Sequence, residues 1–175
     1  MDNKPDEGKI CDQVYLSMGS NIGDRMGLIE RALNQLCANY VSVIAKSAYY
    51  ETHPWKMDTT DLFINACVRV QTSLNPLELL HRIQAVEQSM GRVRSEAYGE
   101  YESRKIDIDI VYFDSQILET QNLTIPHPLV QERRFVLRPM SDIAPEFNHP
   151  ILGFSNKELL ARCPDQQKVT PYYAK

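Results

Sequence analysis

Lys105-Ile106-Asp107-Ile108-Asp109-Ile110-Val111-Tyr112-Phe113 is the stretch on which the reading of this chain turns. Side chains of a β-strand alternate between two faces. Ile106, Ile108 and Ile110 therefore share one face, which the pattern assigns to a core. Lys105, Asp107 and Asp109 share the other. The two carboxylates then stand on one surface with their Cα atoms roughly 6.5–7 Å apart.

Other elements fall into place on either side of this strand. Upstream, Asn75-Pro76-Leu77-Glu78 combines a capping residue, a proline at the first helical position and a capping-box glutamate. Leu79, Ile83, Val86 and Met90 continue as one apolar stripe until Gly91 stops the helix. Leu62 to Thr72 alternates as a strand, and Thr52 to Asp61, with Pro54, reads as a loop. Val41 to Tyr50 is β-branched and aromatic and reads as one strand. Ile29, Leu33, Leu36 and Cys37 recur at helical spacing between Arg25 and about Tyr40. Val14 to Met18 is a first strand that runs into a turn over Gly19 to Asp24. Residues 92–104 read from their composition as a polar loop. Past Asp114-Ser115 come short extended pieces up to Pro128, then helices around Arg134–Asp142 and Ser155–Arg162. The resulting order predicts an α+β, ferredoxin-like β-α-β-β-α-β core with an antiparallel sheet and flanking helices. Residues 1–12 are expected to be a loose leader and 13–175 a single domain.

Bulk properties bound the function. The chain has 175 residues, enough for one domain with a real core. A hydrophobic share of 43% and a charged share of 24% are ordinary globular values. A formal charge of -4 argues against a general nucleic-acid surface. The first residues lack the apolar core of a secretory signal, and no run approaches the ~20 apolar residues of a membrane span. Cys11, Cys37, Cys67 and Cys163 make no Cys-x-x-Cys pair. The expectation is a soluble, cytoplasmic protein with reduced thiols. His53, His81, His127 and His149 are scattered without zinc-ligand spacing.

Asp107 and Asp109 would repel each other without a cation. Carboxylate-only oxygen ligation suits magnesium, which takes further ligands from water and substrate phosphates. The same pattern also fits the solvated face of an amphipathic strand. Arg92, Arg94, Arg104, Arg133 and Arg134 add phosphate-matching guanidinium groups, or merely solubility. Phe63 and Asn65 share a strand face and, with Phe135, could hold a flat heterocycle; core packing is the plainer reading for the two rings. A metal-dependent nucleotidyl transferase or cyclase, or a module that binds nucleotide without reacting, would carry similar groups.

Taken together, these blocks resemble the 6-hydroxymethyl-7,8-dihydropterin pyrophosphokinase family of folate biosynthesis. They are Gly-Ser-Asn at 19–21, Tyr-Glu-Thr-His-Pro at 50–54, Phe-Ile-Asn-Ala at 63–66, Glu-Gln-Ser-Met-Gly-Arg-Val-Arg at 87–94, Ser-Arg-Lys-Ile-Asp-Ile-Asp-Ile at 103–110, Leu-Thr-Ile-Pro-His-Pro at 123–128 and Arg-Arg-Phe-Val-Leu-Arg-Pro at 133–139. The resemblance spans about Val14 to Pro145 and implies transfer of diphosphate from ATP to the pterin hydroxymethyl group, with AMP leaving. It implies that Asp107 and Asp109 hold two magnesium ions and that Arg92 and Arg104 serve the phosphates. It gives Gln84, Glu87, Arg94, Ile110, Thr124, His127 and Arg133 to ATP. It gives Thr52, His53, Trp55, Phe63, Asn65 and Phe135 to the pterin, the first three through backbone groups. The expected assembly is a monomer or a weak homodimer, without membrane or nucleic-acid partners. The chain departs from the commoner pattern at Tyr101-Glu102-Ser103, in a longer loop after Arg94, at His53 and Trp55 where Pro and Leu are frequent, and at Asn122, an arginine in some members.

Overall fold

The computed structural model describes residues 10–37, 40–56, 59–91 and 105–174. Two ten-residue strands, β1 (Cys11–Ser20) and β4 (Phe63–Thr72), pair antiparallel at the centre of a six-stranded sheet. β5 (Asp107–Phe113) lies antiparallel on the far side of β1. The other edge of β4 is shared end to end by β2 (Val41–Lys46) and β3 (Tyr49–Thr52). A short β8 (Thr170–Tyr172) pairs with β3. The fold is thus α+β, with an antiparallel main sheet.

Alternation along the strands builds two cores. Val14, Leu16 and Met18 of β1, Val68 and Val70 of β4 and the isoleucines of β5 pack under α1 (Arg25–Leu36) and α2 (Pro76–Ser89). Each such fully buried aliphatic side chain is worth about 1.5–3 kcal/mol. On the opposite face Tyr15, Cys67 and Tyr112 pack against Val136, Leu137 and Met140 of α3 (Arg134–Ile143) and Leu159 of α4 (Asn156–Arg162). That second cluster leaves out the cross-strand row Asp107–Gly19–Asn65 at the other end of the same face.

A bulge in β5 sets this arrangement. Leu16 pairs with Ile110 but Tyr15 pairs with Tyr112, so Val111 is the extra residue. Its carbonyl accepts the His127 N–H at 3.0 Å, which pins the segment after β6 (Leu118–Glu119) and β7 (Thr124–Ile125) to the strand. α3 is moored to the sheet through Asp142. Its carboxylate accepts the Tyr50 hydroxyl at 2.8 Å, the Ala48 N–H at 3.2 Å and an Arg138 N–H at 2.9 Å. Burial, with Asp142 alongside, pushes the Tyr50 phenol up to about 12.

Several sequence expectations shift. The run Val41–Tyr50 is two strands, because Ser47 Oγ takes the Cys67 N–H at 2.9 Å in place of a ladder carbonyl and Ser47 N–H is turned to Cys67 O. Cys11 and Asp12, assigned to the leader, begin β1; Asp12 is held there by Arg69, whose Nε donates to its carbonyl at 2.7 Å. Gly19 and Ser20 are strand rather than turn, since β4 extends far enough to pair with them. Helix α1 stops at Leu36 rather than near Tyr40, and β5 begins at Asp107 rather than Lys105. Strand β8 was not foreseen in Thr170-Pro171-Tyr172, whose pairing with β3 is a tertiary event. The capping box at Asn75 and Glu78 is present as read.

Candidate active site

Asp107 and Asp109 leave β5 on the face that α3 covers, at the end left out of the α3 core, each partly exposed. Between them Ile108 points into the α1/α2 core. Its N–H, on the free edge of β5, is taken at 2.9 Å by the carboxylate of Glu87, which is buried in α2. Among the described residues no strand pairs with this edge, and the Glu87 side chain fixes the backbone that carries both aspartates.

Beside this edge lies a cleft of about 430 Å³. Asp107, Asp109, Ile110, His127 and Arg133 line it, with Gln84 and Glu87 from α2 and Thr124 from β7. All the described residues that the sequence assigned to the nucleotide and metal therefore share one cavity. Arg92, Arg94 and Arg104 lie outside the described residues. Leu80, Ile83, Leu123 and Pro128 supply apolar wall, and Thr120, Gln121 and Asn122 supply polar rim. Thr120 and Gln121 were not singled out from the sequence, and Asn122 only as a place where some family members carry arginine; Thr120 Oγ1 accepts the Asn122 and Leu123 N–H groups at 3.3 and 3.0 Å.

Arg133 sits at the centre of the cleft's charge. Its Nη1 donates to Asp109 Oδ2 at 3.2 Å, and its side chain is 11% exposed. Nη1 is also 3.2 Å from His127 Nε2. His127 Nδ1 accepts the Leu129 N–H at 3.1 Å, which favours the tautomer protonated on Nε2. That N–H then faces the Arg133 donor and, at 3.8 Å, Asp109 Oδ2. Two donors converging this way suit an anion entering from the cleft. Burial, then the Arg133 charge, pushes the His127 imidazole down to about 4, so it is a neutral hydrogen-bond donor.

Across β1 the same face carries the second half of the site. Asp107 pairs with Gly19, and Gly19 with Asn65. Asn65 Nδ2 donates to Thr52 Oγ1 at 2.8 Å, both side chains buried. This directs the Asn65 oxygen toward Gly19, where a Cβ would come within 3.1 Å of it and 3.8 Å of Phe63. Gly19 thus keeps a recess open in front of Asn65 and Phe63. Phe135, at the start of α3, contacts Trp55 with ring centres 6.2 Å apart, and His53 is exposed beside it. The resemblance implies a backbone role for Trp55, and its indole also packs against Phe135.

The residues present fit a hard divalent cation. Asp107 and Asp109 offer oxygen donors on one surface, and among the described residues no group of three His, Cys, Asp or Glu converges. Carboxylate oxygens suit a cation that completes its shell with water and phosphate. Among the described residues no helix is long and apolar enough to cross a membrane.

Comparison with known proteins identifies the family. The model of the family described as 7,8-dihydro-6-hydroxymethylpterin-pyrophosphokinase matches residues 15–145. The 2-amino-4-hydroxy-6-hydroxymethyldihydropteridine pyrophosphokinase of Porphyromonas gingivalis is 40% identical over 138 residues, 78% of this chain and 93% of that protein. The folic acid synthesis protein fol1 of Pneumocystis carinii is 40% identical over 142 residues, 81% of this chain but 19% of its own length. The chain spans about a fifth of that relative and 22% of the FOL1 protein of Dictyostelium discoideum. Plasmodium falciparum HPPK-DHPS, in a crystal structure with pteroate, superposes with a TM-score of 0.71 at 20% identity, covering 91% of this chain and 43% of that one. At that identity the likeness speaks for fold alone. A family model spanning residues 15–145, and a 40% identical relative of which the chain covers 93%, make this chain a member of the 7,8-dihydro-6-hydroxymethylpterin-pyrophosphokinase family.

Proposed function

We propose that this protein transfers diphosphate from ATP to the hydroxymethyl oxygen of 6-hydroxymethyl-7,8-dihydropterin, releasing AMP, as a step of folate biosynthesis. The observation that carries it is the row Asp107–Gly19–Asn65. Two strand spacings separate its ends, roughly 10 Å. That span suits a pterin whose ring edge meets Asn65 and whose hydroxymethyl arm points at phosphates over the aspartates.

In this reading the Asn65 amide, oriented by Thr52, hydrogen-bonds the ring edge. Phe63 and Phe135 wall its faces, and backbone groups at Thr52, His53 and Trp55 add to its recognition. Ile110, Gln84, Glu87 and Thr124 border the nucleotide, while Arg133 and His127 donate to the triphosphate. Arg92, Arg94 and Arg104, by resemblance, complete the phosphate contacts. Asp107 and Asp109 would hold two magnesium ions. Bound there, magnesium neutralises charge on the phosphates and helps align them. The hydroxymethyl oxygen forms a bond to the β-phosphorus as the bond from that phosphorus to the AMP oxygen breaks. Residues of the chain need form no covalent bond; they position and offset charge. We also read the strand order, β5-β1-β4 followed by β2 and β3, as ferredoxin-like. Two split β-α-β units, β1-α1-β2 and β4-α2-β5, support that reading.

The test is AMP release from ATP and magnesium, with and without the pterin. AMP and a pterin diphosphate that appear only together support the proposal. A folded protein that binds ATP but releases no AMP with the pterin refutes it.

A further inference from the structure

Trp55 is the chain's one tryptophan. The family resemblance gives position 55 only a backbone role, yet its side chain is half-buried and makes contacts that reach the centre of the site. The Arg133 guanidinium carbon lies 5.1 Å from the indole centroid and 5.8 Å from the Phe135 centroid. A cation over an aromatic face is attracted by the ring quadrupole, more strongly when water is excluded. From this mount Arg133 extends Nη1 to Asp109 and to His127, 3.2 Å from each. The neighbouring residues make a second tie in the same direction. Lys56 lies 4.3 Å from the indole and pairs with Glu132, next to Arg133, at 3.7 Å. The loop at 53–56 is therefore joined twice to the segment that delivers Arg133.

A free arginine side chain has many rotamers, and holding it in one has an entropic cost. Aromatic faces that fix the guanidinium before substrate arrives remove that cost from the binding step. We propose that the Trp55 side chain is a positioning residue for Arg133, holding its guanidinium at the junction of the heterocycle recess and the carboxylate cleft. This rests on the diphosphate-transfer reading, in which Arg133 donates to the triphosphate. Trp55 acts through Arg133 and is not itself in contact with the reacting atoms.

Three variants of the full chain test it: Trp55→Leu, Trp55→Phe and Arg133→Met. Trp55→Leu lowers kcat/KM for ATP roughly tenfold while the pterin KM changes less than about threefold. Trp55→Phe, which keeps a ring under the guanidinium, stays within about threefold of the wild type. Because Trp55 is the only tryptophan, its emission reports the contact without ligand, and Arg133→Met shifts it relative to the wild type. The proposal is overturned if Trp55→Leu raises only the pterin KM, if Leu and Phe variants are equally slow, or if the emission ignores Arg133→Met. A wild type that makes no AMP with the pterin defeats the functional reading instead. ATP affinity measured by calorimetry then decides the positioning role: roughly tenfold weaker binding in Trp55→Leu, restored in Trp55→Phe, upholds it, and unchanged binding overturns it.

Discussion

Replacing Glu87 by alanine should loosen the strand that carries both aspartates. Glu87 is 2% exposed, and its carboxylate accepts the Ile108 N–H at 2.9 Å. A hydrogen bond to a charged group contributes about 1.5–3 kcal/mol, and an orphaned buried donor is penalised by about 1–3 kcal/mol. Removing a buried carboxylate relieves some desolvation, and water entering from the cleft restores part of the bond. The net expectation is about 2 kcal/mol of lost stability. For a domain of this size that lowers the melting temperature by about 4–8 °C. Glu87→Gln keeps an acceptor oxygen of the same reach and should lose less than half as much. Thermal unfolding followed by circular dichroism reads the stability. The magnesium dependence of AMP release reads the site, and Glu87→Ala should require more magnesium because Asp107 and Asp109 flank the released backbone. An alanine variant that melts within about 1 °C of the wild type, with unchanged magnesium dependence, would refute the reasoning.

Other expectations follow from the same geometry. Asp107→Ala or Asp109→Ala should lower turnover by about a thousandfold or more in steady-state assays, with the circular dichroism spectrum unchanged. Gly19→Ala places a Cβ 3.1 Å from the Asn65 oxygen, so the pterin KM should rise several-fold while the ATP KM holds. His149, buried and accepting the Ile151 and Leu152 N–H groups through Nδ1, has its pKa held below the ordinary histidine value, mainly by burial. The unfolded chain then binds the proton more readily, so stability is full above about pH 6.5 and falls as pH drops below it. His149→Gln should flatten that acid slope in melts recorded between about pH 7 and pH 5.

The extent to which sequence foretold structure differs from element to element. Asp107 and Asp109 were legible because a period of two needs only one strand to place both. The α2 start was legible because Asn75, Pro76 and Glu78 act locally. The break between β2 and β3 was not, because it depends on Ser47 meeting Cys67 across the sheet. The recess at Gly19 was hidden for the same reason: its need for glycine comes from Asn65 on another strand. Trp55 was read only for its backbone, since nothing in Thr-His-Pro-Trp announces that Arg133, 78 positions on, will lie over its ring. Local chemistry is written in neighbours along the chain, whereas contacts between loops wait on the fold.

The extra residue at Val111 makes β5 a strand with two phases. Before it, odd-numbered residues face the open site; after it, Tyr112 faces α3 and bonds Asn156 at 3.0 Å, and Phe113 turns to the other core. Deleting Val111 would leave a regular alternation, with Tyr112 still opposite Tyr15 and facing α3, but it would remove the carbonyl that tethers His127. A substitution at Val111 keeps that backbone carbonyl, whereas deletion of the residue releases the segment that carries His127. In a collection of random variants Val111 should therefore accept apolar replacements of similar volume more readily than its own deletion.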